Sequence, residues 1–376
     1  MRSKSGHGVS SNRNAKNFQW MKGKLCIKII ARYICFRNTI GVFYMKKKAV
    51  KVAAAMLAAA AAVYTVFIYF LVSACLVPSF MEKLDAFEEI TAKGYSQQVH
   101  TSDISENRKA AITATSEWLS DAKGQMLTRE TADGYKLVAA EFFSAEESHK
   151  WVLLLHGYTG WKEEMYPFAW WYYSQGYHVL VPDLRAQGES EGDFIGMGWT
   201  DSTDCALWLD YILAQDQDAD IVLHGQSMGA STALIMSGEA VRASLKEAAG
   251  HIRAVVSDCA YTDAYEMFGD KITEWFSLPP FPFVDSACLM LRLRGGYDLR
   301  KASALDGVKT SRIPTLFIHG ENDALIDVGM AHELYEAAAC EKELLIVDGA
   351  GHAQSQDKDP DGYYGAITRF LGAHGM

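Results

Sequence analysis

The sequence predicts an α/β architecture, a mostly parallel central sheet with helices on both faces, preceded by an N-terminal transmembrane helix. Three observations carry this. From residue 131 onward, short apolar runs alternate with helix-length segments. The central runs, such as Trp151–His156 and Thr315–His319, are continuously apolar rather than alternating, which suits strands covered on both faces. Val52 to Val77 supplies 26 residues without a formal charge, more than the roughly 20 that cross a hydrocarbon core about 30 Å thick.

In chain order, residues 1–44 form a basic leader, and Met45-Lys46-Lys47-Lys48 resembles a natural start for a membrane-targeting segment. The expectation is that translation begins at Met45 and that the leader is absent from the native protein. Residues 45–51, with Lys46, Lys47, Lys48 and Lys51, make a basic cytoplasmic flank before the apolar helix 52–77. Flanking lysines favour the cytoplasmic side, so the expected arrangement is a single pass with the body extracytoplasmic. A cleaved signal peptide, or lipid attachment at Cys75 in the lipobox-like Val72-Ser73-Ala74-Cys75, stays open. Each of these also leaves the body outside the cytoplasm.

Residues 78–130 read as a helical connector. Met81, Leu84, Phe87 and Ile90 give one apolar stripe, and a second helix starts near Ser105, with Glu106 and Asn107 in its first turn, and ends near Ala122. The strand candidates are Lys136–Phe143, Trp151–His156, His178–Asp183, Ile221–His224, Ala254–Asp258, Thr315–His319 and Glu343–Val347. Asp201–Gln215 and Gly229–Lys246 are long enough for the crossover helices that parallel strands need. The single domain expected over 131–376 leaves room for a small cap at 262–304, with Trp275, Phe276, Phe281 and Phe283 around Pro279-Pro280.

The charge balance separates the chain into two parts. Residues 1–51 hold 13 Lys/Arg and no Asp or Glu; of 36 basic and 46 acidic residues overall, the remaining 325 therefore carry 23 and 46, a net of −23. Nucleic-acid binding rests largely on phosphate neutralisation, so a body this acidic argues against it. The cysteines show no C-x-x-C pair or metal spacing, and Cys205, Cys259, Cys288 and Cys340 read as buried apolar thiols. No cofactor or metal is implied.

The chemistry begins at Gly225-Gln226-Ser227-Met228-Gly229, between the strand IVLH and a helical segment. This fits the G-x-S-x-G elbow, a tight strand-to-helix turn that exposes a serine, and its context makes it more specific than the bare pattern. A serine needs a base oriented by an acid to become nucleophilic. Downstream, Asp323 follows the strand ending at His319, and His352 sits in Asp348-Gly349-Ala350-Gly351-His352 after Glu343–Val347. Both lie past strand C-terminal ends, where open α/β sheets gather their sites. Asp258, Glu321 and Asp327 compete for the acid role.

With these motifs in order, the chain resembles the α/β-hydrolase-fold serine hydrolases, esterase- or lipase-like and related to the prolyl-oligopeptidase and dienelactone-hydrolase branch, over roughly residues 135–376. The resemblance implies Ser227 as nucleophile, Asp323 as acid and His352 as general base. It also implies an oxyanion hole from the backbone N–H groups of Tyr158, in His156-Gly157-Tyr158-Thr159-Gly160, and of Met228. In Asp183-Leu184-Arg185-Ala186-Gln187-Gly188, Ala186 and Gln187 replace the family's usual Gly and His, in a loop that is normally structural. His156 and His224 are expected to be structural hydrogen bonders. Trp161, Trp275 and Phe276 are candidates for an apolar substrate pocket, and the aromatics of 166–173 for packing. The implied reaction is carboxylic-ester hydrolysis of a small-molecule or lipid-like acyl substrate, with peptide or amide cleavage and acyl transfer as alternatives. A non-catalytic scaffold of the same fold would be expected to lack a triad member, and none is missing.

Overall fold

The computed structural model describes residues 47–81, 105–122 and 124–376. The leader 1–44 and the stripe residues Leu84, Phe87 and Ile90 fall outside them. Two compact units are present, one ending at Phe67 and one running Ile68–Met376. Helix α1, Lys47–Leu76, crosses that boundary in sequence. Its segment Val52–Leu76, with mean hydropathy 2.2, is long and apolar enough to cross a membrane by length and composition. From Ile68 onward α1 belongs to the second unit, where Ile68, Leu71, Val72, Ala74 and Leu76 are buried.

Helix α2, Glu106–Asp121, starts where expected. The Ser105 side chain accepts the Arg108 N–H at 3.1 Å and satisfies one donor that the first turn cannot pair internally. The sheet has eight strands: β1 Gln125–Glu130, β2 Lys136–Phe142, β3 Lys150–Leu155, β4 His178–Pro182, β5 Asp220–Gln226, β6 Ile252–Asp258, β7 Thr315–Gly320 and β8 Lys342–Val347. Their spatial order is β1-β2-β4-β3-β5-β6-β7-β8, with the β1–β2 and β2–β4 pairs antiparallel and the other pairs parallel. Strand β1 corrects the helical reading of 78–130, because its last six residues belong to the sheet. It is an edge strand in which only Leu127 is buried, so it lacks the alternation by which strands are recognised.

The parallel strands are as apolar and buried as the sequence predicts, with β3 exposing only part of Lys150. Helices α3 Tyr166–Ser174, α4 Trp199–Gln215 and α5 Met228–Ser237 follow β3, β4 and β5 in sequence. Phe168, Ala169 and Tyr172 of α3 join one core cluster with β-strand residues Val152, Val179 and Val222. The helix expected over Gly229–Lys246 breaks at Gly238, where a Cβ would stand 2.6 Å from the Cα of Gly307. The 262–304 insertion is a helical hairpin, α6 Ala264–Phe276 and α7 Pro280–Arg294, with Asp263 capping α6 through the N–H of Tyr265 at 2.8 Å. Helices α8 Ala304–Thr310, α9 Val328–Ala337 and α10 Pro360–Ala373 complete the layers. The α10 residues Tyr363, Ile367 and Phe370 add to the cluster on which α3 packs. Cys205, Cys259 and Cys288 are buried free thiols, and Cys340 is half-buried.

Candidate active site

Strand β5 runs directly into α5 through Ser227, whose backbone sits at φ 54°, ψ −118°. A non-glycine residue with positive φ costs about 1–3 kcal/mol and persists only where its surroundings hold it. Here they do. The Ser227 N–H donates to Asp258 O at 2.7 Å, and its carbonyl accepts from the Ser231 N–H at 3.0 Å. The flanking glycines are required by space: a Cβ on Gly225 would lie 2.2 Å from the Gly229 backbone, and one on Gly229 would lie 2.1 Å from Leu155 O. The turn therefore presses the start of α5 against the end of β3 and lifts the serine above the C-terminal edge of the sheet.

The loop after β8 brings His352 to this point. Ser227 Oγ donates to His352 Nε2 at 2.9 Å, and His352 Nδ1 donates to Asp323 Oδ2 at 2.7 Å. The three side chains are buried, with Ser227 and Asp323 only 6% and 7% exposed. Asp323 is held firmly from behind, since its Oδ1 accepts the N–H groups of Leu325 and Ile326, each at 2.9 Å. His319 Nε2 stands 3.2 Å from Oδ2 and donates to Ile326 O at 3.0 Å. Burial alone would raise the Asp323 pKa, but hydrogen bonds from His319 and His352 outweigh it and hold the carboxyl well below the usual range. Burial opposes protonation of His319, while the Asp323 carboxylate pulls its pKa up. His319, read from the sequence only as a strand end, is thus a second holder of the acid.

The competing acids have other work. Asp258 Oδ2 accepts from Gln226 Nε2 and from the Tyr363 hydroxyl, both at 3.2 Å, and burial pushes its pKa up to about 6. Glu321 accepts the Gly349 N–H at 3.1 Å, and Asp327 caps α9 through the Gly329 N–H at 2.7 Å. His156 accepts the Leu184 N–H at Nε2 (2.9 Å) and donates from Nδ1 to Gly157 O at 2.8 Å, so both ring nitrogens are committed to loop structure. Burial lowers its pKa to about 4. His224 is buried between the hydroxyls of Tyr172 (3.2 Å) and Tyr363 (3.1 Å).

Around Ser227, Tyr158 follows β3 and its hydroxyl donates to Cys75 O. Met228 opens α5, where first-turn N–H groups have no acceptor within the helix and the dipole is positive. Among the pocket candidates, Trp275 and Phe276 line an apolar cleft, while Trp161 is about half exposed and is not one of its lining residues. Arg185 pairs with Asp204 at 2.6 Å and with Asp133 at 2.5 Å, which ties its loop to α4 and to the β1–β2 turn. Sequence reasoning missed Lys162, a buried cation 2.9 Å from Asp183, 2.6 Å from Glu189 and 3.2 Å from Glu163. Cys259 Sγ, an Asp323 oxygen and a His352 nitrogen lie within 4.8 Å of one another. A metal bound there would take the imidazole away from its bonds to Ser227 and Asp323.

An alpha/beta hydrolase family model matches residues 152–366. The Bacillus subtilis protein YqkD, described as uncharacterized, is 28% identical over 221 residues, covering 58% of this chain and 70% of its own. The fold is similar to that of the Pyrococcus furiosus esterase Pf2001, with a TM-score of 0.54 and 22% identity over 68% of this chain and 93% of that one. It is also similar to a Pyrococcus horikoshii acylaminoacyl peptidase, with a TM-score of 0.52 and 18% identity over 69% of this chain and 43% of that one.

Proposed function

Because the chain belongs to the alpha/beta hydrolase family, we propose that it is a serine hydrolase that cleaves carboxylic esters through an acyl-enzyme. The observation that carries this reading is the continuous hydrogen-bond chain Ser227–His352–Asp323, at 2.9 and 2.7 Å. His352 Nε2 takes the Ser227 proton as Oγ attacks the ester carbonyl carbon. Asp323 stays ionised, keeps the Nδ1 proton in place and stabilises the imidazolium. The oxyanion is received by the N–H groups of Tyr158 and Met228, each such donor being worth about 3 kcal/mol. As the tetrahedral species collapses, the leaving alcohol takes the proton from Nε2. Water, deprotonated by His352, then attacks the acyl-serine; collapse returns a proton to Oγ and releases the acid.

The same reading makes α1 a membrane anchor, with the hydrolase body outside the cytoplasm and the lysines of 45–51 inside. Its support is the apolar stretch Val52–Leu76 behind that basic flank, of which the turns before Ile68 are mostly exposed and so free to meet lipid. Protease digestion of intact cells should reach the body, and alkaline carbonate should leave it in the membrane fraction.

The test of the chemistry is fluorophosphonate labelling of the full chain in detergent, with labelling abolished in Ser227→Ala. p-Nitrophenyl esters and aminoacyl anilides, assayed side by side, decide the bond cleaved. Labelling that survives Ser227→Ala rejects the nucleophile. Faster turnover of the anilides moves the reading to a peptidase or amidase.

A further inference from the structure

The last two turns of α1 do more than lead out of an apolar segment. Within the second unit, Leu71, Val72 and Cys75 form one wall of a cleft whose opposite wall is Phe268, Ile272 and Phe276 of α6. The lining is almost wholly apolar, and its one charged member, Lys271, pairs with Glu274 at 2.8 Å. The α1 wall is fixed by polar contacts that apolar packing alone would not need. Arg294 Nη1 donates to Ser73 Oγ at 2.9 Å, and its guanidinium lies 4.0 Å from the Tyr69 ring centroid. The Ile195 N–H donates to Leu76 O at 2.9 Å.

The cleft touches the loop proposed to receive the oxyanion. Its Cys75 end carries the carbonyl that accepts from the Tyr158 hydroxyl. Tyr158 belongs to the loop that leaves β3, and β3 ends against Gly229, two residues past Ser227. An apolar cleft that meets this loop fits a substrate whose carbonyl is held at the loop and whose hydrocarbon chain lies behind it.

We propose that this cleft binds the acyl chain of the substrate, so that the end of the apolar helix is itself a specificity-determining wall of the site. The inference rests on the serine-hydrolase reading above and narrows its substrate class to esters of medium- or long-chain acids. An acyl chain suits the cleft because a lining without free polar groups repays only the burial of methylenes. Each methylene fully buried raises kcat/KM about fourfold.

The experiment uses the full chain in detergent, with active sites counted by fluorophosphonate titration and kcat/KM read on p-nitrophenyl acetate and laurate. Val72→Trp, which fills the cleft from α1, should lower the laurate-to-acetate ratio tenfold or more. Ile272→Trp, which fills it from α6, should do the same. Leu71→Trp replaces Val72→Trp if the latter yields no titratable site. Counting only titrated sites removes misfolded protein from the ratio. An unchanged ratio in both variants overturns the inference and leaves the serine-hydrolase reading standing. A fall in the α6 variant alone overturns the part given to α1. Wild-type protein that takes no fluorophosphonate label overturns the reading on which the inference rests.

Discussion

Replacing Asp323 by asparagine tests the hydrogen-bond chain at its base, and the structure fixes how the amide would sit. Oδ1 accepts two backbone N–H groups, from Leu325 and Ile326 at 2.9 Å. The amide oxygen must stay there, since an amide NH2 facing two donors would leave all three groups unpaired. The NH2 therefore takes the Oδ2 position, 2.7 Å from His352 Nδ1 and 3.2 Å from His319 Nε2. Nδ1 then has to accept, which moves the imidazole proton to Nε2 and points it at Ser227. A base in that tautomer cannot take the serine proton. The expected loss is about 10⁴-fold in kcat, or about 5 kcal/mol of transition-state stabilisation, with binding little changed. Steady-state kinetics on a p-nitrophenyl ester, normalised to protein with native circular dichroism, reads it. Asp258→Asn is the companion variant, because Asp258 bonds Gln226 and Tyr363 rather than His352, and it should cost less than about tenfold, the scale of one lost hydrogen bond. If Asp258→Asn proved the more damaging of the two, the acid would be misassigned.

Three further outcomes follow from particular contacts. Ser227→Gly should abolish ester hydrolysis yet stabilise the fold by about 1 kcal/mol over Ser227→Ala, because glycine holds φ 54° without strain; equal denaturation midpoints for the two would mean that the elbow stores none. Lys162→Met keeps the buried stem but strands the fully buried Asp183 carboxylate, 2.9 Å from the lost ammonium. It should cost about 3–5 kcal/mol in chemical denaturation, and a loss under about 1 kcal/mol would show that Asp183 finds other partners. Asp201 is buried and accepts the Gly198 N–H at 2.7 Å, and burial pushes its pKa from 3.8 up to about 7. The folded state holds this proton more tightly than the unfolded chain, so the contribution is fully present below pH 3.8 and lost as pH rises toward about 7. Asp201→Asn should flatten the stability profile across that interval, and a profile as steep as the wild type's would place the titration elsewhere.

The parts of the site that were legible in the sequence are those set by local rules. The elbow needs glycines at 225 and 229 because backbone passes within 2.2 Å of where their side chains would be, and the pattern records that need directly. Strand runs ending just before Asp323 and His352 put both at one edge of the sheet. What escaped notice depends on pairing across long separations. Nothing local marks Lys162 as buried, because its partners Asp183 and Glu189 lie 21 and 27 positions away. Strand β1 is paired on one side only and buries a single residue, so its hydropathy resembles that of a loop. The end of α1 was read as more of the same apolar segment, since hydropathy does not distinguish a side chain facing lipid from one facing protein. Its polar contacts, through Ser73 and the carbonyls of Cys75 and Leu76, become visible only once the chain is folded.

The two buried carboxylates at the ends of the neighbouring strands β6 and β7 show how environment divides roles between like groups. Near neutral pH, Asp323 is kept ionised by two histidines and two backbone donors, which is the state that can hold an imidazolium. Asp258 has only neutral donors, and its pKa rises to about 6. Its bonding fits a chain with one consistent set of protons. Tyr172 donates to His224 Nδ1, His224 Nε2 donates to the Tyr363 oxygen, and Tyr363 donates to Asp258 Oδ2, which also receives Gln226 Nε2. A neutral His224 satisfies that chain and a protonated one would not, because Nδ1 would then have to donate. Burial, which lowers the His224 pKa to about 3, enforces the same state. The chain ends on Gln226, the residue before the serine. On the proposed assignment Asp258 serves the elbow by position while Asp323 serves it by charge, so the first is expected to become an amide cheaply and the second is not.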